Sequence, residues 1–224
     1  MKSLGLGKIL YLGGVAEELR GIYLIRGIGL TSNIYLICDG LIVDTGNGEP
    51  ANHIAPVLRK IGKNIEDVER VVLTHSHFDH TGGIKEIVYA ANPEIMAHPL
   101  EHPEVKASAP ADAALSPIVE GDNVSIDGYN FRVLHTPGHS SGSICLYEDG
   151  KSLLISGDTI FPWGGVGRTD LPTGDSDALI ASIRRIVELK VLHLLPGHED
   201  PVLGNASTHI AYSLKTAESL REPL

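Results

Sequence analysis

The chain has 224 residues, 42% hydrophobic and 21% charged, which is the balance of a soluble globular protein long enough to bury a substantial core. Its formal net charge of −10 and pI near 5.5 argue against a nucleic-acid partner, because phosphate-backbone binding needs clustered Lys and Arg. No apolar run approaches membrane-spanning length, and the N-terminal stretch, broken by Gly13-Gly14 and followed by Glu17-Glu18, lacks the core of a signal peptide, so neither membrane nor export is expected.

In chain order, Ile22–Ile25, Asn33–Ile37 and Leu41–Asp44 read as short strands separated by Gly-containing turns such as Asp39-Gly40. A helix is expected from Pro50 to Ile61, with Ile54, Val57, Leu58 and Ile61 on one face and Gly62 closing it. Val71–Thr74 is short and continuous, as a buried strand is. Gly82-Gly83 opens a helix through Ala90, stopped at Asn92-Pro93. The segment from Ser108 to Pro117 reads as a loop or short lid. Ile95–Ala97, Tyr129–Val133, Ser143–Tyr147 and Leu153–Ile155 are strand-like, and Asp149-Gly150 suits the hairpin turn between the last two. A Gly-rich loop spans Phe161 to Gly174. Asp175 or Ser176 can cap the next helix, which carries Leu179, Ile180, Ile183, Ile186 and Val187 on one stripe. Val191–Leu194 is a further strand, and a terminal helix covers roughly Ala206 to Leu220. Strands and helices alternate with short connections and no repeat, so the chain reads as one α/β domain over 1–224. Cys38 and Cys145, each in an apolar run, read as buried small hydrophobes of a reducing, cytoplasmic compartment.

The chemistry concentrates in Thr74-His75-Ser76-His77-Phe78-Asp79-His80-Thr81-Gly82-Gly83, which places three imidazoles and a carboxylate within six residues of a strand end. Neutral imidazole and carboxylate are good donors for divalent zinc, iron or manganese. Three later segments repeat the arrangement of an apolar strand ending in a polar turn: Leu134-His135-Thr136-Pro137-Gly138-His139, Ile155-Ser156-Gly157-Asp158-Thr159 and Leu195-Pro196-Gly197-His198-Glu199. A rigid strand beneath each turn holds the donor steady. His53, His98, His102, His135, His193 and His209 lie outside this pattern and read as surface or core residues.

The order H-x-H-x-D-H, T-P-G-H, S-G-D and P-G-H resembles the metallo-β-lactamase superfamily across essentially the whole chain. The resemblance implies an α/β fold of the αββα sandwich type, two mixed β-sheets face to face with helices outside. It further implies two divalent metal ions, zinc first, with iron and manganese compatible. His75, His77 and His139 would bind one ion, Asp79, His80 and His198 the other, and Asp158 both; Asp79 and Asp158 carry the catalytic assignment. Asp44 resembles an acid that supports the metal loop. Such a centre lowers the pKa of bound water from about 15.7 to about 7.

Within the superfamily, Gly167-Arg168-Thr169-Asp170-Leu171-Pro172-Thr173-Gly174-Asp175 is similar to the glyoxalase II-like (hydroxyacylglutathione hydrolase-like) thioesterases and the related persulfide dioxygenases. The function this implies is a metal-dependent hydrolase whose metal-bridging hydroxide attacks the thioester carbonyl of a small-molecule substrate. A thiolate, from a thiol of pKa near 8.5, leaves without a dedicated acid. The alternatives are a mono-iron persulfide dioxygenase using His75, His139 and Asp158, or a lactone hydrolase. Arg168 either meets an anionic substrate, or pairs with Asp170 or caps the loop. Full-length glyoxalase II continues into a helical glutathione-binding domain, whereas one helix is expected here after His198, and G-H-E-Y-T is replaced by Gly197-His198-Glu199-Asp200-Pro201; both departures weaken the expectation of glutathione recognition. Asp158 where zinc β-lactamases commonly carry Cys argues against a β-lactamase.

Overall fold

The computed structural model describes residues 9–221, which fall into two compact units divided between Ile118 and Val119. The first carries a seven-stranded mixed sheet in sequence order: β1 (Ile9–Tyr11), β2 (Ile22–Ile25), β3 (Ile34–Ile37), β4 (Leu41–Val43), β5 (Arg70–Val72), β6 (Glu94–Ala97) and β7 (Leu115–Pro117). β1 through β4 pair antiparallel, and β4 through β7 run parallel. Its helices are α1 (Ile54–Arg59), α2 (Phe78–Thr81), α3 (Ile84–Ala91) and α4 (His102–Ser108). Ile34, Leu36, Ile42, Val71 and Ile95 alternate onto the face that packs against Ile54, Leu58, Ile84 and Ile87. The intervening Tyr35, Ile37, Leu41, Val43 and Val72 are buried as well, which is why these strands read as continuous apolar runs.

The second unit carries a six-stranded sheet, β13-β12-β11-β10-β9-β8, built from β8 (Asn123–Ile126), β9 (Tyr129–His135), β10 (Ile144–Glu148), β11 (Leu153–Gly157), β12 (His193–Pro196) and β13 (Val202–Leu203). β11 and β12 are parallel and every other pair is antiparallel, so this sheet is mixed too. Two helices, α5 (Ser176–Val187) and α6 (Ala206–Arg221), cover one face, with Leu179, Ile183, Ile186 and Ile210 packed on Leu134, Cys145, Leu154 and Leu194. Asp175 caps α5 by accepting the Ala178 N–H at 2.9 Å. Among the described residues no helix is long and apolar enough to cross a membrane.

Three expectations are revised. The helix expected over Pro50–Ile61 breaks at His53, whose backbone is extended, leaving a 3-10 turn at Pro50–Asn52 and α1. In one continuous helix Pro56 would be interior, lacking an N–H and clashing with the Asn52 carbonyl; restarting at Ile54 moves it into the first turn, where that N–H is not needed. Glu86 on α3 supplies the missing cap, accepting the N–H groups of Ile54 and Ala55 at 2.7 and 2.9 Å. Gly62 does end the helix, at φ +71°, with the Lys63 N–H bonded back to the Leu58 carbonyl. The Ser108–Pro117 segment is a loop only in part: β7 pairs with β6, Ile95 opposite Leu115, and Pro117 is tolerated because β7 is an edge strand. Cys38 lies beyond β3 in the turn, at φ +46°, whereas Cys145 is fully buried and its thiol is pushed up to about 11, chiefly by burial.

Tyr147, in β10, is buried and its one hydroxyl hydrogen is shared between two acceptors, the Lys190 carbonyl at 3.0 Å and Asp149 Oδ1 at 3.1 Å. Burial, then the hydrogen bond to Asp149, push its phenol up to about 12. The phenol is therefore more easily ionised in the unfolded chain, so the stability tied to its protonated form is complete below pH of about 10 and lost as pH rises toward the folded value. Tyr147→Phe is expected to cost about 1 kcal/mol at neutral pH. Denaturant titrations from pH 8 to 12 should show that this difference between wild type and variant shrinks above pH of about 10.

Candidate metal centre

In the first unit the chemistry-bearing residues lie beyond the C-terminal ends of the parallel strands. Asp44 follows β4, the His-rich loop follows β5, and Pro99–Glu101 follows β6. Asp44 is buried and in the left-handed region at φ +58°. Its Oδ1 accepts the Thr74 N–H, and its Oδ2 accepts the Thr74 hydroxyl and His80 Nδ1, all at 2.8 Å. Because a carboxylate oxygen accepts, Nδ1 of His80 carries the proton and Nε2 carries the lone pair. The Thr74 hydroxyl spends its one hydrogen on Asp44, so in its 3.1 Å contact with His75 Nδ1 the ring is the donor. His75 is thereby assigned the same tautomer, with the lone pair again on Nε2.

The three rings cluster: His75 lies 4.7 Å from His77, edge to face, and 4.1 Å from His80 between centroids. Asp79, in the first turn of α2, places Oδ2 3.8 Å from His80 Nε2. Glycine makes this folding possible. A Cβ on Gly82 would meet the Asn47 carbonyl oxygen at 2.2 Å, and one on Gly83 would meet that of Thr45 at 2.2 Å. The loop after β4 thus lies directly against the end of α2, where the Thr45 N–H and hydroxyl both bond to the His80 carbonyl.

In the second unit the donors again follow strand ends that point one way, since β9 and β11 are both antiparallel to β10 and β12 is parallel to β11. His139 is buried, and its Nδ1 donates to the Arg168 carbonyl at 2.8 Å, which assigns the lone pair to Nε2. Gly138 (φ +141°) lets the turn before it pack on α5: a Cβ there would lie 2.4 Å from Leu179 Cα. Asp158 follows a bulge at the end of β11, and the Gly197 N–H bonds to the Gly157 carbonyl at 2.8 Å, tying the Asp158 and His198 turns together. Asp158 Oδ2 lies 3.6 Å from His139 Nε2 and 3.5 Å from His198 Nε2.

These separations fit metal ligation. Donors about 2.1 Å from a tetrahedral ion stand about 3.4 Å from one another, farther than hydrogen-bonded atoms and close to the spacings around Asp158. Three of the imidazoles have the proton committed to Nδ1, as ligands bound through Nε2 require. The donor chemistry, imidazole with carboxylate, suits zinc, iron or manganese.

Four of the remaining histidines engage the backbone through their rings. His102 Nε2 contacts the Ala97 carbonyl and His135 Nε2 that of Ser141, while His98 and His209 accept the N–H groups of Leu100 and Trp163. Arg168 is exposed and pairs with Asp170 through two 2.7 Å bonds, and its guanidinium holds the Asp170 carboxyl down to about 2. Sequence reasoning passed over Thr74, the Arg168 carbonyl and Glu101. For Glu101 the available signal was the same as for the donors, a polar residue soon after an apolar strand.

A family model described as Metallo-beta-lactamase superfamily matches residues 27–198. The chain belongs to the metallo-β-lactamase superfamily. Membership places it among metallo-hydrolases, and its two mixed sheets with helices are those of that fold. A probable metallo-hydrolase, MJ0888 of Methanocaldococcus jannaschii, is 37% identical, aligned over 78% of this chain and 90% of its own length. The hydroxyacylglutathione hydrolase GloC of Haemophilus influenzae is 30% identical over 69% of this chain and 76% of its own. Among solved structures, TTHA1623 in a di-iron-bound form is 27% identical, with a TM-score of 0.67, covering 86% of this chain and 96% of that one. The metallo-beta-lactamase family protein TTHA1429 from Thermus thermophilus has a TM-score of 0.74 at 20% identity, covering 89% of this chain and 80% of that one.

In this superfamily member Asp44 serves three hydrogen bonds and holds the His80 tautomer. Asp44→Ala is expected to weaken zinc binding by about 10- to 100-fold, read by competition with a chromophoric chelator.

Proposed function

We propose that the chain is a binuclear metal-dependent hydrolase acting on a thioester or a related ester of a small molecule. In this reading the chain is a single metallo-β-lactamase-like domain over 1–224. His75, His77 and His139 would hold the first ion, Asp79, His80 and His198 the second, and Asp158 both, with Asp79 and Asp158 as the catalytic carboxylates. Zinc is the first choice of metal, with iron and manganese compatible; the di-iron form of TTHA1623 supports iron. The observation that carries the reading is Asp158 Oδ2 at ligand spacing from two imidazole Nε2 atoms at once.

When bound, the ions supply Lewis acidity and water acidified to a pKa of about 7. The chain's own residues supply orientation. Thr74, Asp44 and the Arg168 carbonyl keep protons on Nδ1 of His75, His80 and His139, so their Nε2 atoms remain donors. A thioester suits a site without a dedicated proton donor, because a thiol of pKa about 8.5 departs as thiolate near neutral pH. The similarity to GloC supports a thioester, and so does the Gly167–Asp175 motif. The Arg168 fork is filled by Asp170, which favours its structural role over substrate binding. The chemistry fits a cytoplasmic enzyme with a small-molecule substrate and neither a nucleic-acid nor a membrane partner.

Elemental mass spectrometry of protein purified without added metal or chelator is expected to find about two divalent ions per chain. Asp158→Ala should lower metal content and reduce turnover on a thioester panel by at least about a thousandfold. Full activity with normal metal content in that variant would overturn the assignment. About one iron per chain, with oxygen uptake on a persulfide and no thioester turnover, would replace it with an oxidoreductase.

A further inference from the structure

Glu101 belongs to neither donor set, yet it is a carboxylate only 3% exposed to solvent. Burying such a group is costly unless its oxygens are well satisfied. It closes the 3-10 turn Pro99–Glu101 beyond β6, the strand beside β5. There Glu101 Oε2 accepts the Ser76 N–H at 3.0 Å and, through a very short contact, the Ser76 hydroxyl. Ser76 is the residue between His75 and His77. A grip on Ser76 therefore acts on the backbone that joins the two histidines.

We propose that Glu101 is a positioning residue for the metal centre, clamping the His75-Ser76-His77 backbone so that the two imidazoles keep their edge-to-face arrangement. The loop has no helix or strand of its own over these three residues, so its conformation depends on such outside partners. Asp44 steadies the loop through Thr74, before His75, and Glu101 steadies it through Ser76, after His75. The two acids thus bracket the first ligand from strand ends on either side of β5.

This inference rests on reading His75 and His77 as ligands, and its test separates the two. Zinc affinity of the full chain would be measured by competition with a chromophoric chelator for wild type, Glu101→Ala, Glu101→Gln, Ser76→Ala and the Glu101→Ala/Ser76→Ala double variant. Melting temperatures of each metal-free protein would be recorded alongside. Glu101→Ala is expected to weaken zinc binding by about 10- to 100-fold. Glu101→Gln should restore most of that loss, since its amide can accept the Ser76 N–H and donate to the hydroxyl oxygen. Ser76→Ala should weaken binding too, and add little in the double variant, because the two residues act as one contact. A Glu101→Ala protein that melts earlier without metal but binds zinc as tightly as wild type would show a purely structural carboxylate and overturn the proposal; additive losses in the double variant would do the same. Should Glu101→Ala fail to fold, Ser76→Ala decides, and unchanged zinc affinity there would overturn it. Wild type that binds no zinc, iron or manganese would overturn the ligand reading itself, before any variant is compared.

Discussion

A buried imidazole can offer its Nε2 lone pair to a cation only if the proton on its other nitrogen has somewhere to go, and much of the polar structure follows from that constraint. His80 gives its Nδ1 proton to Asp44, His75 to the Thr74 hydroxyl, and His139 to the Arg168 carbonyl. Each acceptor is itself fixed. Asp44 is buried and holds Thr74 twice, the Thr74 hydroxyl is oriented by Asp44, and Arg168 lies in a loop whose preceding Gly167 sits against the Asp158 carbonyl and the His139 ring. Without such acceptors a buried N–H would be left unsatisfied or the ring would turn, and either outcome costs more than the hydrogen bond itself contributes.

Strand direction supplies the scaffold. In each unit the polar turns follow strands that run the same way, so their tips gather at one end of the sheet while the strands stay buried. Rigid strands transmit little motion to the turns, and turns at a sheet end can expose polar atoms without disrupting the ladder. Glycine sets the tolerance of this arrangement. At Gly82, Gly83 and Gly138 the neighbouring backbone approaches so closely that a single added carbon would have to move it. The glycines beside the candidate donors therefore help to set the donors' geometry.

Two buried acids, Asp44 and Glu101, stand on either side of the His-rich loop without belonging to its motif. Both would be costly in an apolar interior, and both are compensated by hydrogen bonds to the loop's own backbone and side chains. Acids held this way stiffen the loop they grip. By contrast, the exposed Arg168–Asp170 pair is screened by solvent and contributes to loop shape more than to stability.

What the sequence determined by itself was which residues are able to serve as donors, and their seats at strand ends. Imidazole and carboxylate ligation depends on residue type, and an apolar run followed by a polar turn is visible over fewer than ten residues. It also determined the main strands and the long helices, through periodicities that burial on one or two faces imposes. Only the tertiary structure decided which nitrogen of each ring carries the proton, because the deciding partners lie far along the chain: Asp44 is 36 residues from His80, Arg168 is 29 from His139, and Glu101 is 25 from Ser76. It likewise decided that Leu115–Pro117 joins the sheet, since an edge strand of three residues exists only where β6 offers it a ladder. Local patterns record what a residue can do; the partner that makes it do so is set by packing between segments that no short window contains.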